Sequence, residues 1–195
     1  MKAVYFTEHG GPEVLKFGEL PEPTPGEGEV KIKVKACALN RLDVYTRAGV
    51  RGTKMDLAEP HVLGADVSGE VVEIGPKVTR VSAGDRVVVN PRITCMQCRY
   101  CQSNQTEYCD SAGMIGSAIR GGYAEYVVVP ATNAFPIPDA LNHVQAASLP
   151  TVFMPSWNIL IRRSQLKPWE TALVPSASSG VGTAAIQIAK NIAKS

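Results

Sequence analysis

The chain has 195 residues, enough for one large domain or for one domain and part of another. Its 45% hydrophobic content supports a packed core, and a net charge of +2 with no lysine or arginine cluster excludes an electrostatic nucleic-acid binder. The most apolar stretch, 146–161, is broken by Pro150, Pro155 and Asn158, so no membrane span is expected.

From the amino terminus, Met1–Phe6 is followed at once by Thr7-Glu8-His9-Gly10-Gly11, without the apolar core of a secretory leader. A reducing, cytoplasmic setting is expected. Val30, Ile32 and Val34 alternate with Lys31, Lys33 and Lys35, the period of a half-buried strand. Cys37, just beyond, reads as a small buried hydrophobe. The stretch Asn40 to Gly49 reads as a short helix whose Leu42 and Tyr45, three apart, could simply pack inward. Further strands are expected at Val71–Ile74 before Gly75-Pro76, at Arg86–Val89 after Gly84-Asp85, and over Tyr123–Val129, closed by Pro130. Short strands with Gly and Pro between them predict a compact, barrel-like β domain. The three histidines, His9, His61 and His143, read as surface or capping residues, none at ligand spacing to another.

An excursion interrupts this β pattern. Cys95, Cys98, Cys101 and Cys109 form a Cys-x2-Cys-x2-Cys-x7-Cys run. Four cysteines within fifteen residues can close a tetrahedral sulfur shell round one zinc ion. Disulfides, in three alternative pairings, and thiol redox chemistry compete with that reading, and a reducing compartment disfavours the disulfides. A closed shell leaves no position for substrate, so the expected Zn2+, one per chain, is structural.

After Pro138 the pattern turns helical. Asn142 with Gln145 makes a capping box, and a helical stretch runs through Trp157, Ile159 and Leu160. Pro168–Thr171 reads as a linker, Ala172-Leu173-Val174 as a short buried strand, Ser176–Ser179 as a small-residue turn. Val181, Ala184, Ala185 and Ile188 mark one face of a helix reaching about Ala193. Strand, turn and helix is how a dinucleotide-binding fold begins, and a complete one would need roughly 100–150 further residues.

The cysteine spacing, Met1-Lys2-Ala3-Val4 with Gly11-Pro12-Glu13-Val14-Leu15, and then Val62-Leu63-Gly64, Gly84-Asp85-Arg86-Val87, Gly121–Tyr126 and Ser179-Gly180-Val181-Gly182 fall in one order. That order resembles the medium-chain dehydrogenase/reductase superfamily, which includes zinc-containing alcohol dehydrogenases and quinone oxidoreductases. The resemblance implies a mainly β GroES-like catalytic domain over 1–139 with a structural-zinc lobe. It implies linking helices and the first βα unit of an α/β Rossmann cofactor domain, cut short, over 140–195, hence an N-terminal portion of such a protein.

It also implies where the family's catalytic zinc would sit, and there this sequence departs. Asn40 replaces the cysteine ligand and Leu42 the hydroxyl relay; Leu63-Gly64 leads to Ala65 and Asp66 in place of histidine; Thr151 falls near the third ligand. The stretch Asn40-x-x-Asp43-x-Tyr45-x-Arg47-x-Gly49 is similar to the motif of the zinc-independent quinone and enone reductases. By that resemblance Asp43 orders the loop, Tyr45 donates a hydrogen bond or proton to the developing enolate, Asn40 orients the carboxamide or carbonyl, and Arg47 attracts cofactor phosphates. Ser179, Gly180, Val181 and Gly182 would cradle the pyrophosphate of NADP(H) or NAD(H), with NADP(H) favoured by the resemblance.

The sequence thus predicts hydride transfer from NAD(P)H to a small quinone- or enone-like carbonyl. Neither nucleic acid nor membrane is expected as a partner, and a homo-oligomer is compatible with a longer protein. A zinc-dependent alcohol dehydrogenase and a non-catalytic zinc-stapled fragment are the alternatives.

Overall fold

The computed structural model describes residues 1–193, which form two compact units, Met1–Ala147 and a second that starts at Ser148. Lys194 and Ser195 lie outside the described residues.

In the first unit the alternating segment becomes β3 once β1 (Lys2–Phe6) and β2 (Lys16–Glu19) have paired as an antiparallel hairpin. Strand β3 (Glu29–Ala38) buries Val30 and Ile32 completely and turns its lysines outward, where Lys31 pairs with Glu22 and Glu73. It is followed by α1 (Arg41–Ala48), the short β4 (His61–Val62), then β5 (Asp66–Ile74) and β6 (Arg86–Val89). A two-stranded ribbon, β7 (Arg92–Ile93) with β8 (Gly113–Met114), encloses α2 (Arg99–Gln102). The unit finishes with β9 (Tyr126–Pro130), β10 (Ala134–Pro136) and α3 (His143–Ala147).

Two larger sheets result, in the orders β2-β1-β4 and β10-β6-β5-β3-β9. The main core lies on the inner face of the five-stranded sheet, where Val30, Ile32, Val67, Val71, Val87, Val89, Ile115, Val127 and Val129 meet. β-branched side chains suit such a pleated, buried surface.

The unit runs on to Ala147 because α3 packs against β3, β5 and β6. The expected capping box starts it: Asn142 N–H donates to Gln145 Oε1 (3.0 Å) and Gln145 N–H to Asn142 Oδ1 (2.9 Å). Strand β9 begins three residues later than the sequence suggests. The N–H groups of Gly121, Gly122 and Tyr123 go instead to the carbonyls of Val62, Gly64 and Leu63.

Two pairings position the functional region. The β3–β5 register sets Asp66 opposite Ala38, two residues before Asn40. His9 holds the other end of α1: Met55 N–H donates to its Nε2 (3.1 Å), leaving Nδ1–H for the Thr46 and Arg47 carbonyls (3.0 and 3.2 Å). His9 is thus a capping residue, as expected.

In the second unit, α4 (Pro150–Trp157) continues into one π-helical stretch, Asn158–Arg163, and α4 packs against α5 (Gly180–Ala193). The strand expected at Ala172-Leu173-Val174 is not formed. These residues are irregular, with Leu173 88% exposed. An apolar run becomes a strand only by pairing with a neighbour, and no strand occurs elsewhere among the described residues of this unit to supply one. Among the described residues no helix is long and apolar enough to cross a membrane.

The turn linking β4 to β5 depends on Gly64. It sits at φ +101°, where an added Cβ would also meet the Tyr123 ring and Cys37 Sγ at 2.7 and 2.8 Å. Gly64→Ala combines left-handed strain with overpacking and is expected to cost about 3 kcal/mol. A urea-unfolding midpoint equal to that of the parent protein would contradict it.

Candidate functional site

Two groupings of chemistry-bearing side chains stand apart in the first unit: the cysteine lobe and a cleft at the start of α1.

In the lobe, Cys95 and Cys98 come from the loop after β7, Cys101 from α2, and Cys109 from the end of a 3-10 turn over Thr106–Tyr108. Their four Sγ atoms lie within 4.8 Å of one another. Cys95 Sγ is 3.9 Å from that of Cys101 and 3.6 Å from that of Cys109. A disulfide would need about 2.05 Å, whereas tetrahedral zinc with bonds of about 2.3 Å spaces its sulfurs by about 3.8 Å. The chain has thus curled to the dimensions of a zinc shell.

Backbone donors favour the thiolates that such a shell needs. The Cys101 and Asp110 amides hold the Cys98 thiol well below its usual range, and the Cys95 amide, donating at 3.3 Å, lowers Cys109. Burial pushes Cys101 the other way. Adjacent thiolates repel, and a cation between them is what makes the full set stable. The donor set, its spacing and its amide donors all fit structural zinc.

The second grouping is a cleft of about 360 Å3 lined by Leu15, Leu39, Asn40, Arg41, Asp43, Val44, Arg47, Leu63 and Tyr123. Leu15, Leu39 and Val44 form an exposed apolar lip over a polar floor. The floor is organised by Asp43, only 7% exposed, at the third position of α1. Its Oδ2 accepts from Asn40 N–H (2.7 Å) and from the Tyr123 hydroxyl (2.9 Å), and its Oδ1 from Gly64 N–H (3.1 Å). The Asn40 side chain turns elsewhere: Nδ2 donates to Oδ2 of Asp66, which is 1% exposed, at 3.0 Å.

Cys37 lies beside this floor, its thiol pushed up to about 12 by burial and then by the charges of Asp43 and Asp66. It stays protonated and inert at neutral pH. Burial, and then Asp43, likewise push the Tyr123 phenol far above its ordinary value.

Of the residues expected at the site, Asn40 and Arg47 line the cleft, the latter with its Nε donating to the Gly10 carbonyl (3.2 Å). Tyr45 is half-buried, with the Arg51 guanidinium 4.6 Å from its ring centroid, and is not among the lining residues. Two residues bonded into this region escape the sequence reasoning. Tyr123 is placed there in a β run, and Asp66 figures only as a departure from a Leu-Gly-His pattern. A charged residue heading an apolar strand was the available signal for Asp66.

In the second unit the expected cofactor turn caps α5. Ser179 Oγ accepts from Gly182 N–H (3.0 Å) and donates to the Ser176 carbonyl (2.8 Å). A Cβ on Gly182 would run into that carbonyl, so close approach of backbone to backbone requires glycine there.

With fold and geometry in place, comparison with known proteins identifies the chain. Residues 26–139, more than half of it, match the family model of the alcohol dehydrogenase GroES-like domain. An NAD-dependent alcohol dehydrogenase of Saccharolobus solfataricus is 35% identical over 98% of this chain and 56% of its own length. A quinone oxidoreductase of Mus musculus is 33% identical over 97% and 49%. A solved cobalt- and zinc-bound thermostable alcohol dehydrogenase from Pyrobaculum aerophilum superposes with a TM-score of 0.90 at 40% identity, over 99% of this chain and 57% of that one. The chain belongs to the alcohol dehydrogenase GroES-like domain family, within the medium-chain dehydrogenase/reductases. It spans about half the length of the curated relatives it matches.

The lobe carries its own test. Cys109→Ser should lower bound zinc from one per chain to well below that, and open the 94–111 loop to limited proteolysis. Metal analysis finding full zinc content in the variant would remove the assignment.

Proposed function

We propose that this protein is an oxidoreductase transferring hydride from NAD(P)H to a quinone- or enone-like carbonyl, with structural zinc in the cysteine lobe and no zinc in the cleft. The observation that carries the reading is the Asn40 side chain, whose amide donates to Asp66. Zinc takes thiolate, imidazole or carboxylate ligands. Here an amide, which offers zinc little, stands in place of the thiolate, and alanine in place of the imidazole.

Without a Lewis acid the cleft lacks the several kcal/mol that a metal lends to polarising a carbonyl or holding an alkoxide. A simple alcohol is then a poor substrate, while conjugation already makes a quinone or enone electrophilic towards hydride. The lip of Leu15, Leu39 and Val44 suits a planar apolar molecule. In this reading Tyr45 donates a hydrogen bond or proton to the developing enolate oxygen, Asn40 orients the carbonyl or carboxamide, and Arg47 attracts cofactor phosphate. Backbone N–H groups of Ser179, Gly180, Val181 and Gly182 receive the pyrophosphate at the start of α5. NADP(H) is the favoured cofactor by resemblance to the quinone reductases.

A zinc-dependent alcohol dehydrogenase is the second reading, supported by the name of the Saccharolobus solfataricus relative. It requires two zinc ions per chain rather than one.

The test is a titration with NADPH followed by nicotinamide fluorescence, then turnover with a quinone. Saturable micromolar binding and quinone-dependent NADPH oxidation are expected, and Tyr45→Phe should lower kcat about a hundredfold. Absence of NADPH binding, or a second zinc accompanied by alcohol oxidation, would overturn the reading.

A further inference from the structure

We infer that Tyr123 is a positioning residue of the cleft, its phenol fixing Asn40 through the buried Asp43 carboxylate. The inference rests on the function proposed above and concerns how that site is held. Tyr123, Asn40 and Asp43 line the same cleft. The Tyr123 hydroxyl and the Asn40 backbone N–H converge on one oxygen, Asp43 Oδ2, at 2.9 and 2.7 Å. On its other side Asn40 is tied through Nδ2 to Asp66 at 3.0 Å. Asn40 is therefore clamped between two buried carboxylates, and Tyr123 sets the position of one of them.

The same geometry gives Tyr123 a different part from an acid. A phenol hydroxyl has one hydrogen, and here it is committed to Asp43, so only the oxygen's lone pairs are left to face the cleft. Burial and the neighbouring carboxylate keep that hydrogen on the phenol oxygen. Proton donation to a bound enolate would break the bond that organises the floor. The residue's influence on the reaction thus runs through Asn40, the group that meets the substrate.

The position itself is tightly fixed. The carbonyl of Tyr123 accepts from Val4 N–H (2.8 Å), its N–H donates to Leu63 (3.0 Å), and its ring covers the space where Gly64 lacks a side chain. The ring can therefore stay in place when the hydroxyl is removed. Losing that donor leaves Asp43 Oδ2 with the Asn40 N–H alone and frees the start of α1 to drift. Small misplacements of an orienting group cost rate more than affinity.

Tyr123→Phe should lower kcat for NADPH-dependent quinone reduction roughly tenfold, with KM for NADPH unchanged. Hydrogen exchange should accelerate at the Asn40 and Gly64 amides, the remaining donors to Asp43. In an Asn40→Ala background the same substitution should lose nothing more, since the group it positions is gone. Asp43→Asn is the second variant, should Tyr123→Phe fail to fold, and the same fall in kcat at unchanged KM is expected of it.

Wild-type kcat in Tyr123→Phe, or losses that simply add with Asn40→Ala, would overturn the inference. So would wild-type kcat in Asp43→Asn. If the unmodified protein reduces no quinone, the proposed function fails on its own. Amide exchange in Tyr123→Phe then decides separately whether Tyr123 holds Asp43: unchanged protection at Asn40 and Gly64 overturns the inference.

Discussion

Asp43 is the constraint on which the geometry of the cleft depends. A carboxylate this deeply buried is costly unless donors surround it, and charge-assisted hydrogen bonds are worth about 1.5–3 kcal/mol each. Its three donors come from separate parts of the chain: Asn40 on the same turn, Gly64 between β4 and β5, and Tyr123 before β9. Satisfying one side chain therefore locks the start of α1 to two distant loops. Its place in the first turn of α1 also sets negative charge against the positive end of the helix dipole. The β3–β5 register then adds Asp66 beside Asn40, so a second buried carboxylate accepts from the Asn40 side chain.

The cysteine lobe follows a separate logic. Its only regular tether is the β7–β8 pairing, two residues on each strand, and the residues between carry little apolar burial beyond the cysteines. Such a segment has too little core to hold itself, and metal binding free energy substitutes for it. Its ligands are drawn from one short run of sequence, so the metal organises the lobe and leaves the cleft to be organised by Asp43. Structural and chemical roles are thereby separated in one domain.

How much of this the sequence made legible follows from the range of each signal. Alternation over Val30–Val34, the capping box at Asn142 and the cysteine spacing are local patterns, and each has the local structure it announces. The Tyr123–Asp43 bond spans eighty residues, and nothing in the composition of either segment announces the other. Even the β run at Tyr123 misleads by a few residues, because its first N–H groups are taken by the Val62–Gly64 turn. The apolar Ala172-Leu173-Val174 fails in the opposite way. Its residue types suit a strand, but strand formation is a property of a pair, and the described part of its unit has no partner to give.

The floor of the cleft also limits what its chemistry can be. A metal polarises a bound oxygen without regard to which side chain carries the hydrogen, whereas a hydrogen-bonded floor can offer only the donors it has not already committed. Here Tyr123 has committed its hydrogen to Asp43, and Asn40 has committed its backbone N–H and one side-chain N–H. What remains facing a ligand is the rest of the Asn40 amide and the arginines of α1, set among apolar side chains. Such a lining orients a carbonyl, and the proton donor of the proposed reaction, Tyr45, stands outside it. Under the function proposed above, the electrophilicity comes from the substrate itself, and that reading accordingly favours conjugated carbonyls over simple alcohols or ketones.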